Sequence, residues 1–291
     1  MKDFGYVAPT SIDDAVAVLA RHGHAARVLA GGTDIIIQTR EGRRSVDMLV
    51  DVKSVPETTE LRLSPDGSLR VGAAVPCAQI YADPEIARRF PALIDSAALI
   101  GGIQIQSRAS LGGNLCNSSP AADAIPTLIA LGAVCEIAGP NGRRVVPVEE
   151  FCTAPGQNVL QPGELLVALD IPAPAAHGGA AFERFIPRNE MDIAVCNAAA
   201  SVTLSDGGAT FRSARIAVGA VAPTPLYVKA AGDALAGKPV SDATIDAAAA
   251  AASGAARPIT DMRGSAAQRK HLAGVLTRRV INTAIARAKG A

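Results

Sequence analysis

Two short stretches, "LAGGTD" at 29–34 and "SLGGNL" at 110–115, constrain this chain more than any other feature. Each places a glycine pair after a strand-like run and follows it with polar residues that cannot build a core. Glycine lets the main chain take positive φ and removes the side chain that would hold a ligand away from backbone N–H groups. Several such amides converging form a concave anion site, and a nearby helix start adds favourable partial charge. Each stretch therefore reads as a candidate cradle for a diphosphate, with Thr33, Ser110 and Asn114 offering hydrogen bonds that a bare turn does not need. A lone glycine pair is ordinarily just a turn, and the chain has 27 glycines. The repetition in neighbouring units, the second trailed by "CNSSPAAD" with its hydroxyls and Asp123, is what favours a bound ligand. Neither GxGxxG nor GxxxxGK[ST] occurs in these loops, which argues against a simple Rossmann or P-loop protein.

At 291 residues the chain suits one large domain or two to three ordinary ones. Its 49% apolar and 19% charged residues fit a packed globular protein rather than extended disorder. A formal net charge of +1 removes the electrostatic case for a nucleic-acid binder. The start, "MKDFGYVAPTSIDDAVAVLA", has acids where a signal peptide would have its apolar stretch, and no run approaches the roughly 18 apolar residues that span a bilayer. No membrane span and a cytoplasmic address are the expectation. The five cysteines, Cys77, Cys116, Cys135, Cys152 and Cys196, are scattered, odd in number and without a CxxC pair, so ordinary thiols are expected rather than disulfides, zinc or iron–sulfur clusters.

"SIDDAVAVLARHG" reads as a helix with Ser11 at its N-cap and Gly23 at its stop. "ARVLA" and "VDMLVDV" read as strands, with a helical turn from Thr33 or Asp34 between them. This makes a first unit over 1–56. A second, 57–175, opens with a hairpin around "PDG", continues through a helix over "DPEIARRFPALIDSAALIG", and closes with two strands joined by "PNG" and the strand "ELLVALDIP". "PAPAAHGGA" has linker composition. A third unit, 180–291, holds three antiparallel strands followed by alanine-rich helices, an α+β arrangement.

"LAGGTD", "SRASLGGNLCNSSPAADAIPTLIALGA", "GELLVALDIP" and "FERFIPRNEMDIAV" together resemble the FAD-binding medium subunit of the molybdenum hydroxylases, the family of xanthine dehydrogenase and aerobic carbon monoxide dehydrogenase. The resemblance covers nearly the whole chain. It implies a two-subdomain FAD-binding fold of the vanillyl-alcohol oxidase and p-cresol methylhydroxylase type, plus a C-terminal α+β domain. It also implies that Leu29, Ala30, Gly31, Gly32, Thr33 and Asp34 line one side of the FAD diphosphate. Ser110, Leu111, Gly112, Gly113 and Asn114 would close over the other side. Asp123 matches an acid that hydrogen-bonds the cofactor's sugar portion, and Leu166 falls where a leucine main chain meets the cofactor. Arg184 stands where some relatives have a lysine close to the flavin ring, and Ile100 replaces an aromatic residue that stacks on the cofactor in the animal enzymes. The nicotinamide-binding elements of those enzymes are not identifiable.

The implied function is that of an oxidoreductase subunit. Substrate is hydroxylated at a molybdenum–pterin centre in a large subunit, electrons cross two [2Fe–2S] clusters in a small subunit, and FAD in this chain passes them to an external acceptor. The assembly implied is a dimer of heterotrimers. Two other readings stay open: a self-sufficient flavin oxidase or reductase of the same fold, and a scaffold subunit without cofactor. The pairs Arg43/Arg44, Arg143/Arg144 and Arg278/Arg279 read as solvated rather than as anion sites. In "PRNEMD", the crowding of Arg188, Asn189, Glu190 and Asp192 fits either a turn or a contribution to the flavin edge or a subunit contact.

Overall fold

The computed structural model describes residues 3–188 and 191–290, so Asn189 and Glu190 of "PRNEMD" lie outside the described residues. The chain starts with β1 (Gly5–Val7), α1 (Ile12–His22), β2 (Ala26–Leu29), α2 (Ile35–Arg40) and β3 (Met48–Asp51). The three strands form a parallel sheet in the order β1-β3-β2. Parallel neighbours need crossovers, and the helices supply them. α1 is bounded as its sequence dictates: Ser11 accepts a hydrogen bond from the Asp14 amide, and Gly23 stops the helix at φ 52°. Its buried face, Ile12, Ala15 and Leu19, joins Ala26 and Val50 in one cluster.

The second unit comprises α3 (Pro56–Thr59), β4 (Leu61–Leu63), β5 (Leu69–Gly72), α4 (Cys77–Ala82), α5 (Pro84–Arg89), α6 (Pro91–Ala97), α7 (Ile103–Gln106), α8 (Leu111–Asn117), α9 (Ala124–Ala130), β6 (Val134–Gly139), β7 (Gly142–Pro147), α10 (Val148–Phe151), β8 (Cys152–Ala154), β9 (Gln157–Asn158) and β10 (Leu165–Ile171). Its main sheet runs β4-β5-β10-β6-β7. β10, last in sequence, is central in space and antiparallel to both neighbours. That position explains its apolar run, interrupted only at Asp170: Leu166, Leu169 and Ile171 enter one core, while Leu165, Val167 and Ala168 pack with the first unit. Two expectations change here. The single helix over "DPEIARRFPALIDSAALIG" is two, because Pro91 cannot donate to the ladder and Phe90 before it sits at φ −123°, ψ 55°. "SLGGNL" is not an open loop: it begins α8, with Ser110 as N-cap.

The third unit contains β11 (Gly178–Phe185), β12 (Cys196–Leu204), β13 (Phe211–Gly219), β14 (Leu226–Tyr227), α11 (Lys229–Leu235), α12 (Asp242–Ala255) and α13 (Ala266–Ala288). The expected three antiparallel strands are present in the order β11-β12-β13, and the two-residue β14 extends the sheet to four. α13 lies so close to β11 that a Cβ on Gly179 would run into the Ala284 carbonyl. The small buried residues Ala198, Ala200, Ala273 and Ala284 permit that approach in a chain with only 3% aromatic residues.

Candidate functional site

A cavity of about 500 Å³ opens where the first sheet meets α8 and β10. From the first stretch its wall takes Ala30, Gly31, Gly32, Thr33 and Asp34. From the second it takes Ser110, Gly112, Gly113 and Asn114, with Ile100 and Leu166 also in the wall. Two stretches about 80 residues apart in sequence thus face one space. Leu29 and Leu111 do not line it; Leu29 packs with Val46 and Leu49, and Leu111 is wholly buried in the second unit's core.

The glycines have distinct reasons to be glycine. The Arg108 carbonyl occupies the place where a Cβ on Gly31 would stand, so the first stretch touches, backbone against backbone, the residues just before the second. A Cβ on Gly112 would lie 2.5 Å from the Ala73 carbonyl oxygen. Gly32 has φ +79°, a conformation L side chains rarely adopt. The Gly113 amide donates to Ser110 Oγ at 3.0 Å, so one of the amides expected to face a ligand caps its own helix. Asn114 Oδ1 accepts from the Ala124 amide at 3.4 Å, tying α8 to α9.

Sequence reasoning passed over the residues that brace these walls. Lys53 Nζ donates to the Ala30 carbonyl at 3.0 Å and to Asp51 Oδ1 at 2.6 Å, while Tyr6 donates its hydroxyl to Asp51 Oδ2 at 2.6 Å. Burial pushes the Asp51 carboxyl up, but the Lys53 and Tyr6 hydrogen bonds outweigh it and hold the group below its ordinary value. On the other wall Asn117 accepts from Gln38 at 3.1 Å and donates to Asp34 at 3.3 Å, joining α2 to α8. Asn117, one turn after Asn114, was the legible signal; the Tyr6–Asp51–Lys53 chain is long-range and left none. Cys116 also lines the cavity, and burial pushes its thiol up to about 12, which leaves no thiolate nucleophile at neutral pH.

Asp123 and Arg184 are brought together outside that wall. Arg184 Nη1 donates to Asp123 Oδ2 at 2.6 Å, with the two side chains 5% and 11% exposed. Burial pushes the Asp123 carboxyl up to about 6 against the pull of Arg184 and Asn197. Asp123 Oδ1 and Arg184 Nε are buried with no protein partner. Orphaned polar atoms of this kind cost stability unless something satisfies them, and a hydroxyl-bearing ligand could do so at Asp123 Oδ1. Arg188 donates to Asp192 at 3.3 Å as a local ion pair. The Arg143/Arg144 and Arg278/Arg279 pairs are solvated as expected, each side chain 37–60% exposed, and they also make surface ion pairs: Arg143 meets Glu57 and Glu136, Arg144 meets Glu164, Arg278 meets Asp242 and Asp246, and Arg279 meets Glu183.

A glycine turn from the first unit and a glycine-bearing helix start from the second, around a cavity within the roughly 300–1,000 Å³ of cofactor sites, define a cofactor-holding protein of the two-subdomain kind. Residues 2–174 match the FAD binding domain in molybdopterin dehydrogenase, and residues 181–284 match the CO dehydrogenase flavoprotein C-terminal domain. The chain belongs to this family of FAD-binding molybdenum hydroxylase subunits, and it is an oxidoreductase component that takes FAD. It is 36% identical over 293 residues to the xanthine dehydrogenase FAD-binding subunit of Escherichia coli O157:H7, covering 100% of this chain and 99% of the relative. It is 34% identical over 286 residues to the carbon monoxide dehydrogenase medium chain of Afipia carboxidovorans, covering 98% of each. A solved carbon monoxide dehydrogenase from Hydrogenophaga pseudoflava, lacking the Mo-pyranopterin moiety of its cofactor, superposes with a TM-score of 0.93 at 33% identity, covering 98% of both chains. Among the described residues no helix is long and apolar enough to cross a membrane, and no group of three His, Cys, Asp or Glu residues is arranged to hold a metal ion.

Proposed function

We propose that this chain is the electron-relaying FAD subunit of a heteromeric, cytoplasmic molybdenum hydroxylase. It would receive electrons from the [2Fe–2S] clusters of a small subunit, fed by a large molybdenum–pterin subunit, and deliver them to an external acceptor from a dimer of heterotrimers. The observation that carries the reading is the convergence of residues 30–34 with Ser110, Gly112, Gly113 and Asn114 on one cavity, in a chain that matches its relatives over 98–100% of its length. FAD when bound supplies the redox chemistry; the protein's part is binding, orientation and electrostatics.

The division of labour among residues follows. The backbone of Ala30–Asp34 and of Ser110, Gly112, Gly113 and Asn114 would hold the diphosphate, with Leu29 and Leu111 anchoring those segments in the cores, Lys53 fixing the Ala30 carbonyl and Ser110 fixing the start of α8. Asp123 would use Oδ1 toward the sugar hydroxyls while Oδ2 stays with Arg184. Leu166, Ile100 and Leu160 supply an apolar wall that excludes water. The unit boundaries proposed are 1–56, 57–175 and 180–291. The test is purification of the native assembly followed by measurement of molybdenum, iron and flavin per chain. Co-purifying large and small subunits with one FAD per copy is the expected result. Substrate turnover by this chain alone, or a protein that stays colourless after incubation with FAD, would overturn it.

A further inference from the structure

Arg27 on β2 and Arg44 after α2 both line the flavin cavity, and both also line an adjoining open depression of about 530 Å³ with Gln38, Arg43 and Ser45. They therefore stand on the lip between the two. Both side chains are only partly exposed. Among the described residues neither is paired with a carboxylate, whereas Arg43 beside them meets Glu41 at 2.8 Å. Arg27 Nη1 donates to the Ala26 carbonyl at 3.2 Å, and its Nε is buried with no partner. Burial first, and the Arg44 charge second, lower the proton affinity of the Arg27 guanidinium, so the two cations feel one another. The acids of the cavity wall do not answer them: Glu164 is bound by Arg144 at 2.7 Å, and Asp34 accepts from Asn117 at 3.3 Å. Like charges held together in a partly desolvated lip are unfavourable until an anion enters between them. Guanidinium forks match phosphate oxygens bidentately.

We propose that Arg27 and Arg44 form a phosphate clamp at the rim of the flavin cavity, selecting ligands that carry an ADP moiety over flavins without phosphate. The clamp rests on the reading of this cavity as the FAD site and adds a residue-level source of selectivity to it. The sequence treated Arg44 as half of a solvated Arg43/Arg44 pair. Its partner in space is Arg27 instead, 17 positions earlier by their numbering. The two cations come from the first unit, while the apolar wall of Ile100, Leu160 and Leu166 comes from the second. A dinucleotide has both kinds of surface to offer; riboflavin has only the second.

The test is calorimetric titration of the flavin-free 291-residue chain with FAD, ADP and riboflavin. Arg27→Gln and Arg44→Gln are each expected to weaken FAD and ADP binding by about ten- to a hundredfold, the loss typical of a charge-assisted hydrogen bond. Riboflavin binding is expected to stay unchanged, and added salt should erode ADP affinity in the wild type more than in the variants. Among the described residues Arg44 donates only its backbone amide, to the Gln38 carbonyl at 3.3 Å, so Arg44→Gln decides the matter even where Arg27→Gln melts early. Wild-type ADP affinity in Arg44→Gln, or equal losses for ADP and riboflavin, overturns the clamp while leaving the flavin site standing. A wild-type chain that takes up no FAD at all overturns the flavin reading and the clamp with it.

Discussion

Gly31 carries the Arg108 carbonyl where its Cβ would be, and Gly113 meets only Ser110 Oγ, at 3.0 Å. The same substitution should therefore act differently at two glycines that look alike in sequence. Gly31→Ala must push two backbones apart, at a cost of about 1–3 kcal/mol or more, and should release flavin. Gly113→Ala needs only a small adjustment of Ser110 and should keep it. Bound flavin per chain, read from visible absorbance alongside a thermal melt, separates the two outcomes. Asp123 offers a second residue-scale expectation. Its carboxyl is raised by burial to about 6 in the folded chain, so between the ordinary carboxylate value and about 6 the folded state binds more protons than the unfolded one. Its contribution to stability is fully present below the unfolded value and is lost as pH rises through the folded value. The unfolding free energy of the wild type minus that of Asp123→Asn should fall from about pH 4 to about pH 6 and then level off. A difference that is flat over that window in urea titrations would show that Asp123 is not held in a desolvated site.

Local signals were legible where the physics is local. α1 could be read because Ser11, its apolar spacing and Gly23 all act within one helix. The α5–α6 break was missed although Pro91 announced it, because the apolar period continues across Phe90 and periodicity outweighed the breaker. α8 was misjudged for the opposite reason: a glycine pair reads as a loop, yet Gly112 sits in a helix because Ala73 leaves no room for a side chain. That packing lies about 40 positions away in sequence, beyond the reach of any window. The cap that starts α8 gives the element-scale test. Ser110→Ala removes the acceptor for the Gly113 amide and should cost about 0.5–2 kcal/mol, seen as a lowered melting temperature. Ser110→Thr keeps an acceptor and should recover most of it. If both variants melt like the wild type, α8 does not depend on its cap.

At the scale of the whole chain, the candidate site was legible as two motifs but not as a joint. The third unit is fastened to the second by groups scattered across the sequence. Arg287 and Asp95 pair at 2.6 Å, Arg215 reaches Glu149 at 2.7 Å and the Ile129 carbonyl at 3.0 Å, and Asn197 donates to the Ala122 carbonyl at 3.1 Å. Phe182 and Ala199 pack on Ala130 of α9. The Asp123–Arg184 pair belongs to the same seam, spanning the head of α9 and β11. If Asp123 meets the cofactor as proposed, that contact would also report on whether the third unit is docked. The covalent connection, by contrast, is slight: residues 172–177 are all exposed, and they lie between the strands β10 and β11. A protease site inserted between Pro174 and Ala175 should be cut readily, yet the two fragments should elute together on size exclusion and retain flavin. Buried ion pairs and apolar contacts, not the peptide bond, would then be holding the units. Fragments that separate at low salt, with loss of the yellow colour, would mean that the linker itself maintains the seam and that Arg184 reaches Asp123 only because the chain is continuous.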